Sequence, residues 1–437
     1  MAAAASSAAA ATAARCGRYA ARCTPPRRRT NSRRSRRRVQ NFVIEALEAR
    51  LELARPLKEK IKAGRLWGSI FMRFGMAISN LSSFGGLQRD CLSIARHVAA
   101  AGHDVTILTT EIRGAIDPGC QVRIVKTTNP TNPGRDVALG AALAAQRRDF
   151  DRIVGFNKLP MLDIYYSGDR SYAKVKQGAW RTFSPRFRTQ MQLEQGCFAP
   201  GARTSLIMLS ERQQGEYQSI WKTPDGRFRR ISPNLDPARR MPHLRSDGTR
   251  ERMRAELGIG AGAETWLSIG WAAWVKGFDR VARALEAFPD CVWLVAGIAA
   301  GTPMAGHVLR GVPRQLRGNI RFLGFRDDIP AIMAAADLLV HPARIETTGT
   351  VIVEALANGL PVILTETCGF AHLVEKADAG LVIPGACSRR DLIAAISRGK
   401  APGRLQSWSS NARIFGADPA LSRGHEEAAR LVAGELW

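Results

Sequence analysis

Two glutamates eight residues apart, Glu346 and Glu354, stand in the stretch HPARIETTGTVIVEALANGLPVI among almost wholly apolar neighbours. A carboxylate in such surroundings is costly unless it is paired or hydrogen-bonded, and sugar hydroxyls are good donors to it. Between the two, Thr347, Thr348, Gly349 and Thr350 lead into GTVIVEALANG, which reads as a helix closed by Gly359 with Pro361 just beyond. A helix start carries unpaired amides and the positive end of the dipole, so this loop predicts a phosphate site. Phosphate at the amides with a hydroxyl-seeking glutamate on either side is what a nucleotide sugar requires. Surface glutamates on an amphipathic helix are the ordinary alternative; Val351, Ile352, Val353, Ala355 and Leu356 argue against a wholly exposed face.

Two other loops have the right chemistry. SFGGLQRD follows a short apolar run and precedes a helical one, so Gly85 and Gly86 allow close approach of a ligand and Asp90 projects from the first turn. A glycine pair at a strand exit is more often only a turn. SIGWAAWVKGFDR ends another apolar run with Lys276, a natural partner for a diphosphate. GIGAGAE at 258–264 precedes a strand rather than following one and reads as a loop, and Asp327 and Asp328 read as the start of a helix, not a metal site.

These loops need strands to hold them. FGMAIS, DVTILTT, QVRIVK, DRIVGFN, LDIYYSG and SLIMLS alternate with helical patterns, including one near 136–147. After the Pro-rich RRISPNLDPARRMPHL the alternation restarts with a helix at 248–257, the strands TWLSIG, CVWLVAG, IRFLG, DLLVHP and PVILTE, and then helices to the end. The fold class is α/β, as two doubly wound parallel lobes with a cleft between them, whose ligands belong at the carboxyl ends of strands. The expected division is 72–240 for the first lobe, 241–415 for the second and 416–437 for a final helix packing back towards the first.

The 437 residues carry 64 Lys+Arg against 38 Asp+Glu, a net charge of +26. Residues 1–43 hold eleven arginines and no acid; removing these and the net two charges of 44–71 leaves +13 from Met72 onward. Such a surplus points to a polyanionic partner: nucleic acid, an anionic membrane or a phosphorylated substrate. The stretch 172–190 mixes Lys174, Lys176, Arg181, Arg186 and Arg188 with Tyr172, Trp180, Phe183 and Phe187, without an acid. That composition suits an anionic membrane surface and equally an ordinary solvated helix. Eight scattered cysteines without a CxxC fit free thiols in a reducing compartment rather than a disulfide framework or zinc site. There is no run of 18 apolar residues to cross a membrane.

The glutamate spacing, the TG-type helix start and the lysine after the second-lobe strand resemble the retaining glycosyltransferases of GT-B fold, which use nucleotide-diphosphate sugars. FGGLQRD, AAAGHDV, RIVGFNKLPMLDIYY, AAADLLVHPA and TCGFAHLV are similar more closely to the glucosyltransferases of the lipopolysaccharide core, from about Met72 to the C-terminus. The resemblance implies UDP-glucose as donor, an inner-core heptose of heptosylated lipid A as acceptor, retention of configuration, and no metal cofactor. It also implies a cytoplasmic protein, peripheral on the anionic inner-membrane surface through Lys174, Lys176, Trp180, Arg181 and Arg186. It places Glu346 on the transferred hexose, Glu354 on the ribose, and Lys276 with Thr348, Gly349 and Thr350 on the diphosphate. Arg239 supports the leaving phosphate, and Asp90 takes an acceptor-side or catalytic position beside Gly85 and Gly86. The family has arginine immediately before the lysine where this sequence has Val275, so either another cation, Arg239 or Arg344, compensates or donor turnover is weaker than in relatives. Because the similarity starts at a methionine, 1–71 reads as a disordered basic extension or an over-long gene prediction. The alternatives are another donor sugar or acceptor and, from the arginine arm, a nucleic-acid-binding protein; no specific nucleic acid is expected.

Overall fold

The computed structural model of the chain describes residues 71–82, 85–129, 131–174 and 184–435. The basic extension, and Lys176, Trp180 and Arg181 of the basic and aromatic stretch, lie outside the described residues.

Short runs of buried apolar residues form strands here because both faces of each sheet are covered by helices, as parallel sheets demand. In the first lobe the order is β1 Arg73–Ala77, β2 Leu81–Ser82, α1 Gly86–Ala100, β3 Asp104–Thr109, β4 Ile112–Arg113, β5 Gln121–Ile124 and α2 Asn132–Ala145. There follow β6 Arg152–Gly155, β7 Ile164–Ser167, α3 Pro185–Phe198, β8 Ser205–Met208, α4 Glu211–Trp221 and β9 Phe228–Arg230. Among the described residues this lobe has a seven-stranded sheet, ordered β5-β3-β1-β6-β7-β8-β9, with every pairing parallel. The chain reverses its winding between β1 and β6, which leaves a crevice beyond their carboxyl ends.

The second lobe runs α5 Thr249–Glu256, β10 Thr265–Ile269, α6 Phe278–Ala284, β11 Val292–Ala296, α7 Pro303–Leu309, β12 Ile320–Gly324, α8 Ile329–Ala335 and β13 Leu338–His341. It continues with α9 Thr350–Ala357, β14 Val362–Thr365, α10 Ala371–Lys376, β15 Gly380–Ile383, α11 Arg389–Gly399 and α12 Arg404–Gly416. Its parallel sheet is ordered β12-β11-β10-β13-β14-β15, with the reversal between β10 and β13. Lys276 and Glu346 both come from loops leaving the two strands that flank this crevice.

The last helix, α13 Gly424–Ala433, returns to the first lobe: Ala428, Leu431 and Val432 join the core formed by Phe74, Met76, Ile94 and Val98. The crossing between lobes lies earlier than residue 240. Leu235 already packs in the second-lobe core, and its amide donates to the Leu421 carbonyl at 2.8 Å. Four strands stand where the sequence reading has none: the short parallel pair β2 and β4, β9 at the sheet edge where the Pro-rich link begins, and β15 within the stretch read as helices only. α2 starts at Asn132, four residues before the expected 136, because the Thr131 hydroxyl accepts from the Gly134 amide and Pro133 sits in the first turn. The six described cysteines are free, five of them buried.

Candidate active site

The loop 344–349 is fastened from two sides. The Val275 carbonyl accepts from the amides of Arg344, at 2.8 Å, and Ile345, at 3.4 Å, which joins the exits of β10 and β13. On the other side the Gly369 amide donates to the Glu346 carbonyl at 3.2 Å and the Phe370 amide to the Thr348 carbonyl at 2.9 Å. Gly369 is required by this stitching, because a Cβ there would stand 2.0 Å from the Thr347 carbonyl oxygen. The TCGF motif therefore supports the glutamate loop.

This fastening brings three side chains together. The Lys276 ammonium donates to Glu346 Oε2 at 2.5 Å, and His341 Nε2 lies 3.0 Å from the same oxygen. His341 is fully buried and its Nδ1 has no hydrogen-bond partner among the described residues. Burial alone would push the Glu346 carboxyl up; the hydrogen bond and charge of His341 and the ammonium of Lys276 outweigh it and bring it down to about 2. Glu346 is thus a fixed anion at any working pH.

Gly349 caps α9 with φ +84°, a left-handed conformation that glycine adopts without strain, and its carbonyl accepts from the Ile352 amide at 2.8 Å. A Cβ there would meet Ile352 Cδ1 at 2.6 Å and Glu346 Cγ at 3.1 Å. Gly349→Ala is therefore expected to cost roughly 1–3 kcal/mol in strain and to displace Glu346. Thermal melting together with transfer assays checks this, and an unchanged Tm contradicts it. Thr350 is exposed at the first position of α9 and Thr348 half-buried just before it.

One to two turns into α9, Glu354 faces Arg239 across 4.0 Å. Arg239 is held there by the linker: Asn358 donates to the Arg239 carbonyl and accepts from the Met241 amide, each at 2.8 Å. Burial raises the Glu354 carboxyl above its ordinary range against the pull of Arg239 and of Arg89, an exposed residue of α1. A cation of the first lobe therefore bears on the second-lobe site.

A lysine-held glutamate at the crevice of one lobe, a second glutamate one helix turn on and cations from the facing lobe can hold a hexose, a ribose and a diphosphate in a row. The family profile of the group 1 glycosyl transferases matches residues 249–413. Lipopolysaccharide glucosyltransferase WaaG of Escherichia coli K12 is 33% identical over 362 residues, covering 81% of this chain and 96% of WaaG. The chain belongs to the group 1 glycosyltransferases. Its fold is GT-B: the crystal structure of WaaG superposes with a TM-score of 0.75 at 31% identity, over 83% of this chain and all of that one. HepE of Anabaena in complex with UDP-glucose, at 19% identity and a TM-score of 0.63 over 84% of this chain and all of its own, shares the fold.

Other residues of this glycosyltransferase fall differently from their sequence-based placement. Asp90 is the fifth residue of α1, and both its oxygens are engaged: Oδ2 accepts from the Tyr166 hydroxyl at 3.0 Å, and Oδ1 pairs with His425 Nε2 of α13 at 2.8 Å. No bond joins it to Glu346 or Lys276 among the described residues. Gly85 and Gly86 open α1 with exposed backbone. Arg344 does not replace the arginine missing at Val275, because its guanidinium grips Asp279 at 2.6 and 2.8 Å and lies over the Trp274 ring. Lys174 and Arg186 are both exposed, on either side of the undescribed segment.

The sequence reading missed His341, Arg89 and His425. A histidine ending a buried strand five residues before a candidate glutamate was a usable signal for His341. Nothing local marks His425, whose partner Asp90 is 335 positions away.

Proposed function

We propose that this glycosyltransferase moves glucose from UDP-glucose to an inner-core heptose hydroxyl of lipopolysaccharide, with retention of configuration and without a metal cofactor. The observation that carries the reading is the Lys276–Glu346–His341 cluster at the crevice between β10 and β13. The name of its relative WaaG, a lipopolysaccharide glucosyltransferase matched over 96% of its length, supports the sugar and the acceptor class.

In this reading Glu346 accepts hydroxyls of the transferred hexose and Glu354 those of the ribose. The diphosphate lies on the amides at Thr348, Gly349 and Thr350 with Lys276 and Arg239 beside it. As the bond from the anomeric carbon to the phosphate breaks, charge grows on the leaving oxygen, and preorganised amides and cations take it up. Cations already at the phosphate end make a divalent ion dispensable. The acceptor hydroxyl attacks from the face the phosphate leaves and gives its proton to that phosphate. Asp90, its oxygens engaged by Tyr166 and His425, fits a positioning role better than that of a base. Lys174 and Arg186 support a peripheral site on an anionic membrane surface; no described helix is long and apolar enough to cross one.

The test is a donor screen with the full chain, heptosylated lipid A and EDTA. Glucose transfer from UDP-glucose, undiminished by EDTA, is the expected result; transfer from another sugar nucleotide only, or complete loss on chelation, contradicts the reading. The raised Glu354 carboxyl adds a pH prediction. Ribose hydroxyls bind the ionised form, so UDP-glucose affinity, whose diphosphate diester does not titrate here, is expected to fall on acidification through a pH above the ordinary glutamate range. Calorimetry across pH checks it: Glu354→Gln removes that limb, and a limb that persists in the variant contradicts the assignment.

A further inference from the structure

Beside Glu346 the cleft opens into a small pocket lined from both lobes, by Arg170, Arg212 and Glu216 of the first and Arg344, Glu346 and Thr347 of the second. The lobes touch at its edge, where the Ser210 hydroxyl donates to the Thr347 carbonyl at 3.3 Å. Three guanidinium groups in one small pocket repel unless anions balance them, so each must be accounted for.

Arg344 is neutralised by Asp279, and Glu346 by Lys276. Glu216 accepts the Ser171 amide at 2.9 Å and Arg170 Nη2 at a long 3.4 Å. Arg170 Nε is buried without a hydrogen-bond partner. Arg212 is exposed, and among the described residues its guanidinium has no ion-pair partner. The pocket therefore keeps one cation without an ion-pair partner and, in Arg170 Nε, one buried N–H that lacks an acceptor; the buried N–H is costly unpaired, and an oxyanion would answer both.

The carriers of these two arginines are rigid. Gln213 ties the start of α4 to the exit of β7, donating to the carbonyls of Ser167 at 2.7 Å and Asp169 at 2.5 Å while its oxygen accepts the Leu209 amide. Tyr217 donates to Asp169 at 3.1 Å, and Lys158, buried between Asp169 and Glu194, fixes the same turn. The backbone under both arginines is thus fixed, so binding a planar or tetrahedral oxyanion costs only the freedom of their side chains.

We infer that Arg170 and Arg212 form an acceptor-side anion subsite, which takes a phosphate monoester or a carboxylate carried on the acceptor glycan at or next to the sugar that is glycosylated. This rests on the glycosyltransferase reading above and adds a substrate class to it. Both arginines belong to the lobe opposite the helix mouth that seats the donor diphosphate, and they face the hexose end of the donor at Glu346. A cation there meets the acceptor as it approaches the anomeric carbon.

The experiment compares three soluble heptosides as acceptors for UDP-glucose with the full chain: neutral, phosphorylated and carboxylated. The wild type is expected to show a KM roughly tenfold or more lower for one anionic form, the scale of a charge-assisted hydrogen bond, and which form it is identifies the source. Arg212→Gln, at an exposed position, is expected to raise that KM to the neutral acceptor's value with UDP affinity as in the wild type; Arg212→Lys keeps part of the preference. Equal KM for all three acceptors in the wild type overturns the proposal. So does an Arg212→Gln protein that loses UDP affinity while keeping the acceptor preference, which would give the arginine to the donor. If no heptoside is glucosylated at all, the functional reading fails separately, and calorimetric binding of the same three heptosides decides the subsite. Tighter binding of an anionic form in the wild type but not in Arg212→Gln upholds it; no difference overturns it.

Discussion

Replacing Glu346 with glutamine is expected to lower kcat/KM for glucosyl transfer by about 10³, on the scale of removing a preorganised polar group from a reacting centre, while far-ultraviolet dichroism stays that of the wild type. Glutamine keeps the shape but removes the charge that Lys276 and His341 converge on. The Lys276 ammonium is then left without its anion, and the hexose loses its strongest hydroxyl acceptor. The loop's backbone bonds to Val275, Gly369 and Phe370 are untouched. A folded Glu346→Gln protein with near wild-type transfer would remove Glu346 from the mechanism.

Lys276→Met is expected to act on both the donor and the pH dependence of stability. Without the ammonium the diphosphate loses a cation, and UDP affinity should fall about 10²-fold, in the range of a charged hydrogen bond lost from a buried site. The linkage has a definite sign. In the wild type the folded Glu346 carboxyl is depressed from 4.5 to about 2, so its contribution is present above the unfolded value and is lost as pH falls from about 4.5 towards about 2. Removing Lys276 takes away one of the causes of the depression, so the loss below about 4.5 should be smaller and complete at a higher pH. Melting curves between these limits, with UDP titrations at neutral pH, check both effects. Identical curves for the two proteins would mean that the Lys276–Glu346 contact contributes nothing to stability.

Much of this site was legible because its chemistry is local. Glu346, Thr348, Gly349 and Glu354 lie within nine residues of one another, on a loop and the helix it enters, and the strand before them is unmistakably apolar. Lys276 could be read for the same reason, as the polar end of a strand exit. The alternation of strands and helices carried the two-lobed α/β architecture. What escaped is tertiary. Arg170 and Arg212 line one pocket with Glu346 only because the two lobes face each other. His425 reaches Asp90 only because the chain recrosses to the first lobe at its end. β15 escaped because four residues that begin with a glycine are too short for a period, and the crossing point within the Pro-rich link because such sequence has no period at all. Val275 looked like a missing charge, with Arg239 or Arg344 as its replacement or weaker turnover as the result; the structure uses its carbonyl to dock the glutamate loop and commits Arg344, though not Arg239, to Asp279.

The central claim is that the cleft around Glu346 transfers glucose to a heptose with retention. The most direct measurement is nuclear magnetic resonance of the product formed by the purified full chain from UDP-glucose and a defined heptosyl acceptor. An α-linked glucose on a heptose hydroxyl, absent when Glu346→Gln replaces the wild type, is the predicted result. A β-linked product, glucose attached to another sugar, or the same product from the variant would contradict it.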